Sequence, residues 1–272
     1  MHILIIGSGR MGSAILEAWK IALPKKCLVN VVEAKPNKKQ YIRRKYNHFK
    51  IYSKIPKNWK GDYLFLAIKP QDFEVTSEQI LKNVKETKFI ISVMAGLKTD
   101  LIKKKLKNLS NVIRIMPNIA TEVSKGMTCA YSKARMKSEN IKDLENILKP
   151  MGELIWLKKE NLIDSVTAIS GSGPAYFFLF IQLMVKVSKE LGFSNNESYF
   201  IVNQTAIGAI EMIKKKRNLK KLIDSVVSKG GTTEAALKVF LSKEFSLEKQ
   251  LKKGILAARE KSQQISKELN YE

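Results

Sequence analysis

A chain of 272 residues, 44% hydrophobic and 27% charged, has room for two domains and the balance of a globular protein, which excludes disordered and collagen-like classes. Its unusual quantity is charge: 49 basic against 25 acidic residues leave a formal net charge of +24. Seven of the basic residues are arginine and the other 42 are lysine, a solvated point charge rather than the planar fork that reads base edges. The excess therefore reads as lysine-biased surface, and no nucleic-acid partner is expected.

The chain opens on His2-Ile3-Leu4-Ile5-Ile6, a strand pattern with no basic leader or cleavage site, so a cytoplasmic protein is expected. Apolar runs at 3–6, 28–33, 63–67, 89–93, 112–115 and 154–157 predict strands. Helical patterns lie between them, among them 11–22, 71–84 and 100–109. Strand alternating with helix predicts an α/β fold: a Rossmann-type parallel sheet covered on both faces, over residues 1–157.

From 158 to 272 the strand patterns stop. Residues 174–191 are apolar nearly all round, which predicts a helix buried in a core or against another chain. Further helices are predicted at 197–216, 219–228, 234–241 and 247–269. This half is expected to be an all-helical dimerisation and substrate domain, giving a homodimer or a higher oligomer built from dimers. The longest apolar run, 175–185, is interrupted by Gln182 and falls short of the roughly 20 residues that span a bilayer, so no membrane association is expected. Cys27 and Cys129 are far apart and His2 and His48 are isolated, so neither a disulfide framework nor a metal site is expected.

The strongest motif is Gly7-Ser8-Gly9-Arg10-Met11-Gly12, directly after a strand and opening a helix. In that context the string is a dinucleotide fingerprint: the glycines permit a tight turn, close approach of backbone to a pyrophosphate, and helix–sheet packing. The positive helix end then receives the phosphates. Glu33 ends the second strand, 21 positions after Gly12, where an acid accepts ribose hydroxyls and repels a 2′-phosphate. NADH is thereby favoured over NADPH, although Lys35, Lys38 and Lys39 offset the repulsion. Three more loops follow strand ends: Ala67-Ile68-Lys69-Pro70, Ala95-Gly96 and Met116-Pro117-Asn118. Gly96 is expected to admit a nicotinamide or ribose.

Two strings mark the helical half: Ser170-Gly171-Ser172-Gly173-Pro174-Ala175-Tyr176 and Ser228-Lys229-Gly230-Gly231-Thr232-Thr233-Glu234. Backbone N–H groups and hydroxyls at a helix start make a carboxylate pocket, or simply a helix cap. Neither histidine is placed to act as the general base that alcohol oxidation needs. A protonated cyclic imine accepts hydride directly, so alignment and an anchored carboxylate supply most of the effect. Candidate proton donors or substrate orienters are Ser172, Thr232 and Thr233.

In order, GSGRMG, AIKP, SVMAG, RIMPN, AISGSGPAY and VSKGGTTEAAL resemble the pyrroline-5-carboxylate reductase family over Gly7 to Leu237. The resemblance implies a Rossmann domain, a helical dimerisation domain, and reduction of 1-pyrroline-5-carboxylate to L-proline by NADPH or NADH. It implies that Gly7 to Met11, Ala67 to Pro70, Ala95, Gly96 and Asn118 serve the cofactor. Ser228, Gly231, Thr232 and Thr233 would hold the substrate carboxylate across a dimer interface. The chain departs from the family pattern at Ile119-Ala120-Thr121, at Lys229 where a proline is usual, at Lys215-Lys216-Arg217-Asn218 where an acid is usual, and at Glu33. Rival readings are a reductase of a related cyclic imine, a 3-hydroxyacid dehydrogenase, and a basic nucleotide-carrying binding protein. The dehydrogenase reading requires a lysine early in the first long helix of the second domain, where the first is Lys186.

Overall fold

The computed structural model of the chain describes residues 1–244 and 246–270. It divides into two compact units, Met1–Ser172 with the stretch from Ala258 onward, and Gly173–Ala257. The first unit contains β1 (His2–Ile6), α1 (Arg10–Ala22), β2 (Leu28–Val32), α2 (Pro36–Lys45), β3 (Lys50–Tyr52), β4 (Trp59–Leu66) and α3 (Phe73–Asn83). It continues through β5 (Val84–Ser92), α4 (Thr99–Lys105), β6 (Asn111–Met116), β7 (Gly126–Ser132), α5 (Ser138–Leu148), β8 (Gly152–Trp156) and α6 (Leu162–Val166).

The strands form one sheet in the order β3-β2-β1-β4-β5-β6-β7-β8. Successive side chains of a strand point to opposite faces, and both faces here are apolar. Ile3 and Ile5 of β1 join a core with Ile15 and Trp19 of α1, Ile42 of α2 and Ile147 of α5. Leu4 and Ile6 join another with Phe73 and Ile80 of α3 and Ile102 of α4. Trp19 meets Phe65 edge-on at 5.0 Å, and its indole N–H donates to the Ile147 carbonyl at 2.9 Å. The α/β class is as expected, but the sheet is not wholly parallel: β7 runs antiparallel to β6, while β8 is parallel to β7. β7 reads Gly-Met-Thr-Cys-Ala-Tyr-Ser, too small and polar to announce a strand. β3 is three residues long, and α2 buries Ile42 alone, so neither leaves a strong periodic pattern.

Beyond β8, Glu160 ties three parts of this unit together. Its Oε1 accepts from the Thr99 backbone N–H at 2.8 Å and its Oε2 from the Thr99 hydroxyl at 2.9 Å, anchoring the start of α4. Arg114 of β6 donates to Oε1 from Nη1 at 3.2 Å. Arg114 is 2% exposed, and its Nε and Nη2 have no hydrogen-bond partner among the described residues.

The second unit holds α7 (Gly173–Glu190), α8 (Asn195–Lys216), α9 (Leu219–Asp224), α10 (Thr232–Phe240) and the opening of α11 (Leu247–Asn270). Between α7 and α8 the chain turns through Gly192, at φ +100°. A capping box starts α8: the Glu197 N–H donates to the Ser194 hydroxyl, and the Ser194 N–H donates to Glu197 Oε2 at 2.9 Å. Phe177, Phe178, Tyr199 and Phe200 are 63–71% exposed, whereas Val202 is buried.

The strand-to-helix change after residue 157 matches the end of β8, but the compact units part later, between Ser172 and Gly173. From Ala258, α11 belongs again to the first unit, where Ser266 donates to the Gly96 carbonyl at 2.9 Å and Ser262 to Asp164 at 2.8 Å. Helix also runs on further than the apolar run of 175–185 indicates. The stretch Leu162–Glu190 is long and apolar enough, by length and composition, to cross a membrane.

Glu160→Gln is expected to destabilise the protein by about 2 kcal/mol, because it removes the counter-charge of a buried guanidinium. Thermal unfolding of this variant beside the double replacement Arg114→Met, Glu160→Leu checks it: the double variant is expected to regain part of the loss.

Candidate active site

The direction of winding reverses between β1 and β4, with β2 and β3 on one side and β4 to β6 on the other. Ligands of open α/β sheets collect in the crevice at the carboxyl ends of strands at such a point. Gly7 follows β1, Glu33 follows β2, Ala67 follows β4, Ala95 comes shortly after β5, and Asn118 shortly after β6. The first unit thus gathers five sequence-predicted loops along one edge of its sheet.

The glycine-rich turn has distinct requirements at each glycine. Gly7 has φ +92°, and a Cβ there would stand 2.6 Å from the Ala67 carbonyl oxygen. A Cβ at Gly12 would stand 2.4 Å from the Gly7 carbonyl oxygen. These two positions are closed by the protein's own backbone. Gly9 differs: a Cβ there would meet nothing closer than the Ala67 oxygen at 4.0 Å, so the approach to the start of α1 is open. No side chain caps α1 and no acid occupies its first turn, which leaves its N–H groups and positive end available to an anion. Arg10 is exposed and Met11 half-buried. Residues 7–12 therefore fit a dinucleotide pyrophosphate.

Ser8 and Glu33 are both buried, and the Ser8 hydroxyl donates to Glu33 Oε2. The Lys35 backbone N–H donates to Oε1 at 2.9 Å, and the Ser13 hydroxyl ties the Ser8 carbonyl at 2.8 Å. The side chain of Ser8 thus faces Glu33. Lys69 is exposed, and Pro70 opens a short 3-10 turn with Ile68 packed beside Gly7. Ala95 is exposed.

Two of the expected cofactor positions have structural work of their own. At Gly96, φ is +82°, and a Cβ would meet Leu269 Cδ1 at 2.8 Å and Ile265 Cγ2 at 3.0 Å. The space that Gly96 was expected to keep for a nicotinamide or ribose is taken on that side by α11. Asn118 accepts from the N–H groups of Ala120 at 3.2 Å and Met127 at 3.4 Å, and donates to the Ser170 hydroxyl at 3.3 Å. It caps the turn that follows β6. Ser170, which sequence reasoning passed over in favour of Ser172, is thereby brought to the end of β6. Ser172 is half-buried, and its N–H donates to the Thr167 carbonyl at 2.8 Å.

In the second unit, Ser228 to Glu234 form a single turn into α10. The Gly231 N–H donates to the Ser228 carbonyl at 2.9 Å, and a Cβ on Gly231 would lie on the Ser228 hydroxyl. Gly230 holds φ +73°. Ser228 and Thr232 are exposed and Thr233 half-buried, so three hydroxyls surround the start of a helix that has no side-chain cap from Gly231. Glu234 is the residue that sequence reasoning missed: its carboxylate accepts the Gly230 N–H and pairs with Lys238 at 3.0 Å. The Gly230 N–H and Lys238 together hold its carboxyl below the usual range. An acid three positions after the N-cap glycine was the available signal.

The family model "Pyrroline-5-carboxylate reductase dimerisation" matches residues 160–265, and "NADP oxidoreductase coenzyme F420-dependent" matches residues 2–96. A pyrroline-5-carboxylate reductase of Pseudomonas aeruginosa is 32% identical over 210 residues, covering 77% of this chain and 76% of its own. Bacillus subtilis pyrroline-5-carboxylate reductase 1 is 32% identical, covering 76% of this chain and 69% of its own. Among solved structures, the Coxiella burnetii pyrroline-5-carboxylate reductase superposes with a TM-score of 0.86 at 28% identity, over 97% of this chain and 98% of its own. A Plasmodium falciparum pyrroline carboxylate reductase with NADP bound gives 0.82 at 25% identity, over 98% of each chain.

The three glycines of the turn are expected to respond differently to alanine. Gly7→Ala and Gly12→Ala should each lower stability by about 2 kcal/mol or more, from backbone strain and a carbonyl clash. Gly9→Ala should change the unfolding midpoint little. Urea unfolding of the three variants checks this, and equal losses at all three would contradict it.

Proposed function

The chain belongs to the family of NAD(P)-dependent pyrroline-5-carboxylate reductases, and from that premise we propose how its own residues carry the reduction of 1-pyrroline-5-carboxylate to L-proline. The observation that carries this reading is the uncapped, open start of α1 beside Gly9, with Glu33 at the end of the neighbouring strand. The dinucleotide, when bound, supplies the hydride. Gly7, Ser8, Gly9, Arg10, Met11 and Gly12 form the turn that receives its pyrophosphate through backbone N–H groups. Glu33 accepts the adenosine ribose hydroxyls, which favours NADH over NADPH. Ala67 to Pro70, Ala95, Gly96 and Asn118 border the nicotinamide half through their backbones. For Gly96 and Asn118 that role is added to the packing and capping described above.

Ser228, Gly231, Thr232 and Thr233 bind the substrate carboxylate at the start of α10, where hydroxyls and N–H groups converge. Glu234 leaves room for that anion only because its charge is answered by the Gly230 N–H and Lys238. The imine carbon needs no base. Once its nitrogen is protonated the carbon accepts hydride and the nitrogen keeps the electron pair of the C=N bond as an amine. Ser172 or Thr233 is placed in this reading as the group that orients the ring or passes the proton. A bound water is the other proton source.

The exposed apolar faces of α7 and α8 take a second copy of the chain, so the functional unit is a homodimer or an oligomer of dimers. The same contact gives the apolar stretch Leu162–Glu190 a protein environment, without a membrane. No nucleic acid is required by this chemistry, and the protein acts in the cytoplasm. The lysine-rich surface provides a positive field for two anionic ligands.

The decisive experiment follows NADH and NADPH absorbance separately with 1-pyrroline-5-carboxylate, and the reverse reaction with L-proline at high pH. Turnover is expected with both and a higher kcat/KM with NADH; no turnover with either would end the reading. Thr233→Ala is expected to raise KM for the imine about tenfold while leaving KM for the dinucleotide near its starting value. The unfolding midpoint is also expected to climb with protein concentration, as it does when folding and assembly are linked. A concentration-independent midpoint, read by scanning calorimetry over a hundredfold dilution, would separate the two.

A further inference from the structure

The pair formed by Ser8 and Glu33 carries more than its motif does. In a dinucleotide fingerprint the residue between the first two glycines is free to vary, and its backbone is what approaches the pyrophosphate. Here that residue is a serine with no solvent exposure, and its hydroxyl has its single proton committed to Glu33 Oε2. The other carboxylate oxygen takes the Lys35 N–H at 2.9 Å. The backbone on either side is fixed as well: Gly7 N–H donates to the Val32 carbonyl at 2.9 Å, and Glu33 N–H to the Tyr52 carbonyl at 3.0 Å. Glu33 is 8% exposed, so its carboxylate has one protein donor on each oxygen and little freedom to swing.

A carboxylate accepts about four hydrogen bonds. Two are filled from the protein, which leaves lone pairs for two vicinal hydroxyls. A mobile glutamate at this place can rotate away from a 2′-phosphate; one held at both oxygens cannot without breaking buried, charge-assisted bonds. Beyond Glu33 lies a cleft of 290 Å³ lined by Ala34, Lys39, Arg43 and Ser53 among others, with the Lys39 ammonium donating to the Ser53 hydroxyl. Two cations, Lys39 and Arg43, line that cleft, and of these charged groups the one that opposes a 2′-phosphate is the acid Glu33.

We propose that Ser8 is a positioning residue for cofactor selectivity: by holding the Glu33 carboxylate against the glycine-rich turn, it makes the site accept a ribose diol and refuse a ribose 2′-phosphate. Ser8 does this through Glu33, with no side-chain contact to the dinucleotide. The inference rests on the reading of the first unit as a dinucleotide site, and it adds the residue that sets which dinucleotide is preferred.

The test measures dissociation constants for NADH and NADPH by dihydronicotinamide fluorescence, with no imine present, on the full chain and on Ser8→Ala, Glu33→Gln and the double variant, each checked by its unfolding midpoint. The native protein is expected to bind NADH at least about tenfold more tightly than NADPH. Ser8→Ala should reduce that ratio by about tenfold, weakening NADH and sparing or tightening NADPH. In the Glu33→Gln background the same replacement should change neither constant by more than about twofold, since the group it positions has lost its charge. Equal weakening of both dinucleotides by Ser8→Ala, or a persistent loss in the Glu33→Gln background, would mean that Ser8 contacts the cofactor directly and would overturn the proposal. Failure of both dinucleotides to bind the native protein would overturn it together with the cofactor site. Binding of both without reduction of the imine would end the reductase reading and leave this result standing.

Discussion

Helices α7 and α8 point phenylalanine and tyrosine side chains outward, and their own unit offers little to cover them. Apolar surface left in water costs about 25 cal/mol per Å² relative to burial, so in the proposed homodimer these are the faces that take the second copy. The constraint reaches the chemistry. The turn Ser228–Thr233 belongs to the same unit as those helices, so in the proposed reading the hydroxyls offered to a carboxylate are carried by the unit that offers those faces to a second copy. In the first unit the opposite holds: both faces of the sheet are sealed by the chain's own helices, and the glycine-rich turn is set by backbone contacts between Gly7, Gly12 and Ala67.

That contrast explains what could be read in advance. Strands buried on both faces become continuous apolar runs, and β1, β4 and β5 announce themselves in that way. The Gly7–Gly12 string is legible because Gly7 and Gly12 answer steric demands that no other residue meets as well, while Gly9 keeps the approach to α1 open. β3 and β7 were illegible because edge position and small residues erase the pattern, and the reversal of β7 is a property of pairing that no single segment encodes. The packing role of Gly96 was illegible for a related reason. A glycine reports close approach without saying what approaches, and here Ile265 and Leu269 of α11, about 170 residues further along, fill the space.

Polar partners were the least legible class. Ser170 with Asn118, Glu160 with Thr99 and Arg114, and Glu234 with Gly230 are joined by hydrogen bonds whose local sequence signals are weak or absent. Each serves a recurrent need: a helix or turn start leaves N–H groups that some oxygen must satisfy. The oxygen comes from nearby in sequence at Asn118 and Glu234, and from 61 positions away at Glu160. A sequence scan finds the first kind and not the second.

The net charge of +24 has a different relation to function than its size implies. Around Ser8 and Glu33 the deciding groups are one hydroxyl, one carboxylate and one backbone N–H group, at burial where each interaction is strong. Exposed ammonium groups act through water and salt and discriminate weakly between two anions of similar shape. Lys39 and Arg43 attract any phosphate, whereas a fixed buried acid distinguishes a hydroxyl from a phosphate at one atom of the ribose. On the proposal made for Ser8 and Glu33, selectivity belongs to the scarce buried charge, and the abundant exposed charge raises the local concentration of both cofactors without choosing between them.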